Sequence, residues 1–224
     1  MILRILVLYI LLPTASAFCQ NNMAYTDAFH TGADEYQLWA GYSPDSITWI
    51  GKSEARRLFM AGGGWRRVLL AGNSVAWKFT MDAVPIALVS QPTLFGSEIV
   101  QDPHKQIAAC KAAGVICAFG RRTTYGVGFA PIGFEFNFRR KSRVQVVTGI
   151  NAGLLRFSRE VPIPNSASIN FTFGLGAGVQ IFTSASRSVT IGYHYHHISN
   201  ADSGTPFNPG IDSNFIYAGY SLHR

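Results

Sequence analysis

Three of the chain's six histidines crowd into His194-Tyr195-His196-His197, and a serine, Ser199, follows two places later. An imidazole beside a hydroxyl can take its proton and make it a nucleophile. Residues two apart on an extended strand share a face. His197 and Ser199 therefore lie on the face that carries Val189, Ile191, Tyr193 and Tyr195, while His194 and His196 turn to the other side with Thr190 and Gly192. Serine chemistry also needs an acid to hold the imidazole. Residues 201–210 are rich in Gly, Pro, Asn and Ser, a hairpin loop between two strand-like runs. In the second run Ile216, Ala218, Tyr220 and Leu222 form the apolar face, and Asp212 has the same parity. A base, a hydroxyl and a carboxylate would then meet at the loop end of one hairpin. The plainer alternative is a set of polar residues at a strand end, with His194 and His196 as packing residues and Tyr193, Tyr195, Tyr217 and Tyr220 as an aromatic girdle.

The same residues carry a resemblance. His197-Ile-Ser199-Asn200-Ala201, followed by Asn208-Pro-Gly210-Ile211-Asp212-Ser213, resembles the signature of the bacterial lipid A 3-O-deacylases of the PagL type, often labelled acyloxyacyl hydrolases. The resemblance implies an eight-stranded outer-membrane β-barrel with a Ser/His/acid site on its outer surface, facing the outer leaflet. It implies His197 as base, Ser199 as nucleophile, Asp212 as acid and Asn200 as an oxyanion-hole donor, with Asn208 matching a recurrent loop asparagine. It further implies lipid A or lipopolysaccharide as substrate, an ester at the 3-position, and no metal or organic cofactor. The best-known members carry Glu at the acid position. Asp212 is one methylene shorter.

The elements that must position these residues alternate with period two. Strand-like runs fall near 36–42, 56–70, 75–83, 123–138, 144–154, 169–182, 187–199 and 211–222. The clearest places Ile169, Phe171, Phe173, Leu175, Ala177, Val179 and Ile181 on one face and Asn170, Thr172, Gly174, Gly176, Gly178 and Gln180 on the other. An apolar outside and a small, polar inside suit a narrow closed barrel. The expected fold is all-β, an eight-stranded antiparallel up-and-down outer-membrane barrel. Gly62-Gly63-Gly64 predicts a bend or bulge. Lys78 and Asp82, four apart on an inward face, suggest an internal charge pair. Connections alternate long and short, as in outer-membrane barrels. The longest irregular stretch is 91–122, in which residues 104–113 could form a short helix, and its length is one that is often functional.

Composition narrows the classes. Only 14% of residues are charged, and Gly (22) and Phe (16) are abundant. Residues 1–17 read as a secretory signal: Arg4, an apolar run over 5–12 and an Ala15-Ser16-Ala17 cleavage site. That run is too short to span a bilayer as a helix. Residues 18–33 read as a flexible lead-in and 34–224 as one barrel domain. The net charge of +7 is scattered, with none of the aromatic-interleaved basic motifs of nucleic-acid modules, and it suits anionic head groups. Cys19 follows the cleavage site; Cys110 and Cys117 could pair in an oxidising compartment, although spacing alone does not decide it. The oligomeric state stays open, a homodimer among the alternatives. Three functional readings follow: an outer-membrane serine esterase acting on lipid A, a non-enzymatic small barrel with a degenerate site, and, fitting the alternation less well, a soluble secreted β-sandwich that binds a lipid.

Overall fold

The structure, a computed structural model, describes residues 27–96, 98–203 and 208–224. The expected signal peptide, Cys19 and the first part of the lead-in lie outside the described residues. In chain order the elements are β1 (Asp34–Ser43), β2 (Ser46–Ile47), β3 (Arg57–Ala71), β4 (Val75–Leu94), β5 (Glu98–Ile99), α1 (Pro103–Ala112), β6 (Phe119–Phe138), β7 (Val144–Phe157), β8 (Ile169–Ser184), β9 (Arg187–Ser199) and β10 (Ile211–His223). The long strands pair antiparallel in the order β1-β3-β4-β6-β7-β8-β9-β10, and β10 pairs back onto β1 from Glu35↔His223 to Tyr42↔Ile216. The result is a closed eight-stranded antiparallel barrel. The two-residue strands are additions to it: β2 lies on the start of β10, and β5 on the end of β4.

The period-two pattern explains the wall. Phe171, Phe173, Leu175, Val179 and Ile181 are exposed on the outside of β8, while Asn170 and Gln180 are buried inside. The triple glycine sits at a register shift between Ala61 and Gly63, the irregularity its sequence predicts. The predicted long loop is shorter than expected. Gln91–Leu94 and Phe119–Arg122 pair with each other as extensions of β4 and β6, leaving residues 95–118 as the connection. Proline at 92 is no obstacle there, because it pairs close to the strand end. Within the connection, Asp102 caps α1 by accepting from the Lys105 backbone N–H at 2.9 Å, and Cys110 and Cys117 form a disulfide with Cα atoms 6.1 Å apart.

The lumen is filled in three tiers. At the end bearing the long loops, Leu58, Met60, Val84, Ala87, Val89, Leu155, Phe157, Ile198, Ile211 and Phe215 pack an apolar core. At the end bearing the short turns, Phe29, Val68, Ala76 and Phe182 form a second. Phe29 is fully buried and lies 4.6 Å from the Lys78 ammonium. The last residues of the supposed flexible lead-in are therefore a fixed plug, because a buried ring gains more than its short 3-10 turn loses in freedom.

Between the cores runs an ionic network. Lys78 and Asp82 both face inward, but they are not partners of each other. Lys78 Nζ bonds Glu35 Oε2 at 2.6 Å and Glu135 Oε1 at 2.8 Å. Asp82 Oδ1 accepts from Trp39 Nε1 at 2.9 Å and lies 3.5 Å from Arg66 Nη2. In a narrow barrel, neighbouring strands bring charges closer than positions four apart on one strand, which are separated by about 13 Å. Tyr217 also lies inside, 4.6 Å from the His194 ring, so it is no part of an outer aromatic girdle.

Candidate active site

The hairpin of β9 and β10 places Asp212 directly across from His197 in the strand register. Directly opposed residues have Cβ atoms about 4.5–5.5 Å apart, so a short acid reaches. Asp212 Oδ1 lies 2.5 Å from His197 Nδ1. An ionised carboxylate can only accept, so this contact puts the imidazole proton on Nδ1 and leaves Nε2 with its lone pair for the hydroxyl side. His197 is partly exposed, whereas Asp212 is fully buried although its parity points it outward.

The connection between β1 and β3 covers it. β2 pairs Ile47 with Asp212, and the backbone N–H groups of Ile50 and Gly51 donate to Asp212 Oδ2 at 2.7 and 2.9 Å. Trp49 stacks on Tyr195 with ring centroids 5.3 Å apart, so Tyr195 is buried under the loop rather than free at the surface. The hairpin's sequence gives no sign of these groups. The donors are main-chain atoms, and the only hint is an apolar Trp49-Ile50-Gly51 tip in an otherwise polar loop.

Ser199 ends β9 on the same face as His197. Its Oγ accepts from Asn208 Nδ2 at 2.7 Å and from the Ala201 N–H at 3.3 Å. Asn208 Oδ1 in turn accepts from the Gly210 N–H at 3.0 Å. Ala201 and Asp202 both have left-handed backbone, φ 51° and 58°, which turns the chain sharply away behind the serine. Gly210 also has positive φ, and a Cβ there would stand 3.0 Å from His197 Cε1, so the motif's glycine makes room for the ring. Asn200 lies on the inward side of the alternation. It is 1% exposed, and neither side-chain nitrogen nor oxygen has a hydrogen-bond partner among the described residues.

Five hydrogen bonds between loops and strand ends hold this end together. Arg56, fully buried, donates to the carbonyls of Glu54 at 2.5 Å and Gln101 at 2.8 Å and reaches that of Pro162 at 3.4 Å. Gln91 Nε2 also donates to Pro162 O, at 2.6 Å. Burial lowers the Arg56 guanidinium to about 10, with Arg121 adding to the effect, so it still carries its charge at neutral pH. The Ala167 N–H donates to Ser203 O at 3.1 Å, tying the β7–β8 loop to the loop that follows Ser199.

The outer wall beside Ser199 is apolar. Read across the register, Ser199 pairs with Phe171, Phe171 with Leu154, Leu154 with Phe129 and Phe129 with Ala83. A depression of about 600 Å³ lined by Gly63, Pro85, Val127, Phe129, Leu154 and Ile169 lies along this row.

Comparisons with known proteins bear on the fold and the family. The solved structure of the outer membrane enzyme PagL superposes with a TM-score of 0.55 at 17% identity, over 82% of this chain and 97% of that one. Neisserial surface protein A matches with a TM-score of 0.46 at 14% identity, over 85% and 98%, and OprG of Pseudomonas aeruginosa with 0.45 at 9%, over 88% and 98%. No curated protein sequence matches. The protein-family match is to lipid A 3-O-deacylase (PagL) over residues 101–221, just over half of the chain and including β9 and β10 as far as Ser221. The chain thus belongs to the lipid A 3-O-deacylase (PagL) family.

Proposed function

We propose that this outer-membrane lipid A deacylase releases the acyl chain at the 3-position by a Ser/His/Asp mechanism, with its site facing the outer leaflet. The observation that carries this reading is the pairing of Asp212 with His197 Nδ1 at 2.5 Å, beside a serine on the same face of the same strand. His197 Nε2 takes the Ser199 proton as Oγ attacks the acyl carbonyl, and the tetrahedral oxyanion collapses to an acyl-enzyme with loss of the sugar alkoxide, which leaves protonated by the imidazolium. Water, deprotonated by the same nitrogen, then frees the fatty acid. Asn208 fixes the Ser199 oxygen before attack. The resemblance assigns the oxyanion to Asn200, whose inward-turned amide has to rotate outward to reach it. The apolar row from Phe171 to Ala83 offers a dry surface to acyl chains while the glucosamine head stays at the loop end.

The test is mass spectrometry of lipid A from cells with and without the protein. A loss of one 3-hydroxyacyl chain from the 3-position is expected, and unchanged lipid A would refute the reading.

Orientation has its own check. A tag placed within residues 95–118 should be reached by protease on intact cells, and one within residues 139–143 should not. The reverse labelling would put the site on the wrong side of the membrane for this substrate.

Asp212→Glu, although it restores the longer acid, should lower the rate of fatty-acid release. Asp212 is fully enclosed, and an added methylene in a filled space costs about 1–3 kcal/mol. A faster Glu variant would show instead that the shorter acid limits this enzyme.

A further inference from the structure

The most unusual feature of the site is that its acid is held from a loop far away in sequence. Asp212 Oδ2 receives two backbone N–H groups, from Ile50 and Gly51, while Oδ1 alone faces the imidazole. Two successive main-chain donors converging on one oxygen form an anion-binding nest. Three further contacts hold the loop in place. The Lys52 N–H donates to Pro209 O, the Ser53 N–H donates to Gly210 O at 3.2 Å, and Trp49 stacks on Tyr195, two residues before the base on the same strand face. The loop also closes over the carboxylate so tightly that a Cβ on Gly51 would stand 3.0 Å from Oδ1 and 3.0 Å from the Asp212 backbone nitrogen.

We infer that the Ile50–Gly51 segment is a positioning element of the catalytic machinery, an amide clamp matched to an aspartate. This rests on the Ser/His/Asp reading above. By pinning Oδ2 the clamp fixes the rotation of the carboxylate, so that Oδ1 stays on Nδ1 while the imidazole gains and loses its proton. It also supplies fixed dipoles that keep the buried acid in its ionised form opposite the imidazolium. The clamp accounts for the short acid. With donors descending onto position 212 from above and the base directly opposite, an aspartate fills the distance between them, and a longer side chain would drive its carboxylate into the Ile50–Gly51 backbone. None of these donors is a side chain, so no catalytic motif contains them.

The test is a pair of mutant cycles on the full-length protein folded in detergent micelles, with purified lipid A as substrate. Ile50→Pro deletes one donor. Gly51→Ala leaves both donors but pushes a methyl against Oδ1, and it carries the test if the proline variant does not fold. Heat-modifiable migration checks the barrel in each case. Each variant should lower kcat about tenfold or more with KM little changed, since the clamp acts on the base rather than on substrate binding. In an Asp212→Ala background the same substitutions should cost nothing further, because the group they act on is gone. Equal losses in both backgrounds, or losses confined to KM, would make the loop a structural cover only, and full activity in both variants would remove the clamp outright. Failure of the underlying reading has a different signature: an active Ser199→Ala protein.

Discussion

Ser199→Ala is expected to abolish release of fatty acid from lipid A while leaving the barrel folded. Its Oγ lies on the same strand face as the carboxylate-bound imidazole, and in the proposed mechanism no acyl-enzyme forms without it. His197→Ala should be nearly as damaging, since the hydroxyl is then left at its own poor nucleophilicity. In a serine protease, losing either of these two members costs on the order of 10⁶ in kcat, losing the acid costs on the order of 10⁴, and removing all three costs no more than losing the first. The same ranking is expected here: the Ser199→Ala/His197→Ala double variant should match the worse single variant, and Asp212→Ala should retain more activity than either. Folding should survive, because Ser199 lies at the strand end on the outer face and takes no part in either lumenal core. Lipid A from cells producing each variant, read by mass spectrometry, provides the measurement. Full deacylation by Ser199→Ala would end the serine mechanism whatever else the barrel does.

The largest expected effect on stability lies elsewhere, at Lys78. Its ammonium is fully buried between Glu35 at 2.6 Å and Glu135 at 2.8 Å, and Glu35 is itself 2% exposed. Lys78→Met keeps the apolar stem and deletes the charge, which strands two carboxylates close together inside a closed barrel. Breaking a buried pair by removing one partner costs about 3–5 kcal/mol, most of it from the charge left behind. Glu135 retains Arg66, 3.7 Å away, so Glu35 should bear the greater part of the loss. Adding Glu35→Gln to Lys78→Met should therefore recover much of the stability, because an amide tolerates burial with the Gln180 and Ser188 groups nearby far better than an unpaired carboxylate does. Urea unfolding of the protein in lipid vesicles would measure both. A Lys78→Met barrel as stable as the parent would mean that the network contributes nothing net, as can happen when desolvation cancels attraction.

Much of this molecule is legible without coordinates, and for one physical reason. A strand in a barrel wall sees lipid on one side and a crowded lumen on the other, so every second residue reports its own side. Ile169 to Ile181 against Asn170 to Gln180 is enough to declare the wall, and the same parity puts His197 and Ser199 on one face and Asp212 across from His197. Gly62–Gly64 likewise points to the register shift against β4, since residues without a Cβ tolerate the bent backbone of a bulge. What parity cannot report is who stands next door on another strand. Lys78 and Asp82 are both inward by the pattern, yet their partners, Glu35, Glu135, Arg66 and Trp39, are chosen by the register of β1, β3 and β6, which only closure of the barrel fixes. The length of β4 beyond residue 83, where the expected run stops, is hidden for a related reason, since its far end, Gln91–Leu94, is held by pairing with Phe119–Arg122 across a loop and not by its own composition. The burial of Asp212 belongs to the same class. The sequence places a carboxylate on the face of the hairpin that carries His197; the two amides that bond it come from residues 50 and 51. Main-chain donors look alike at every position, and only the fold says where they point.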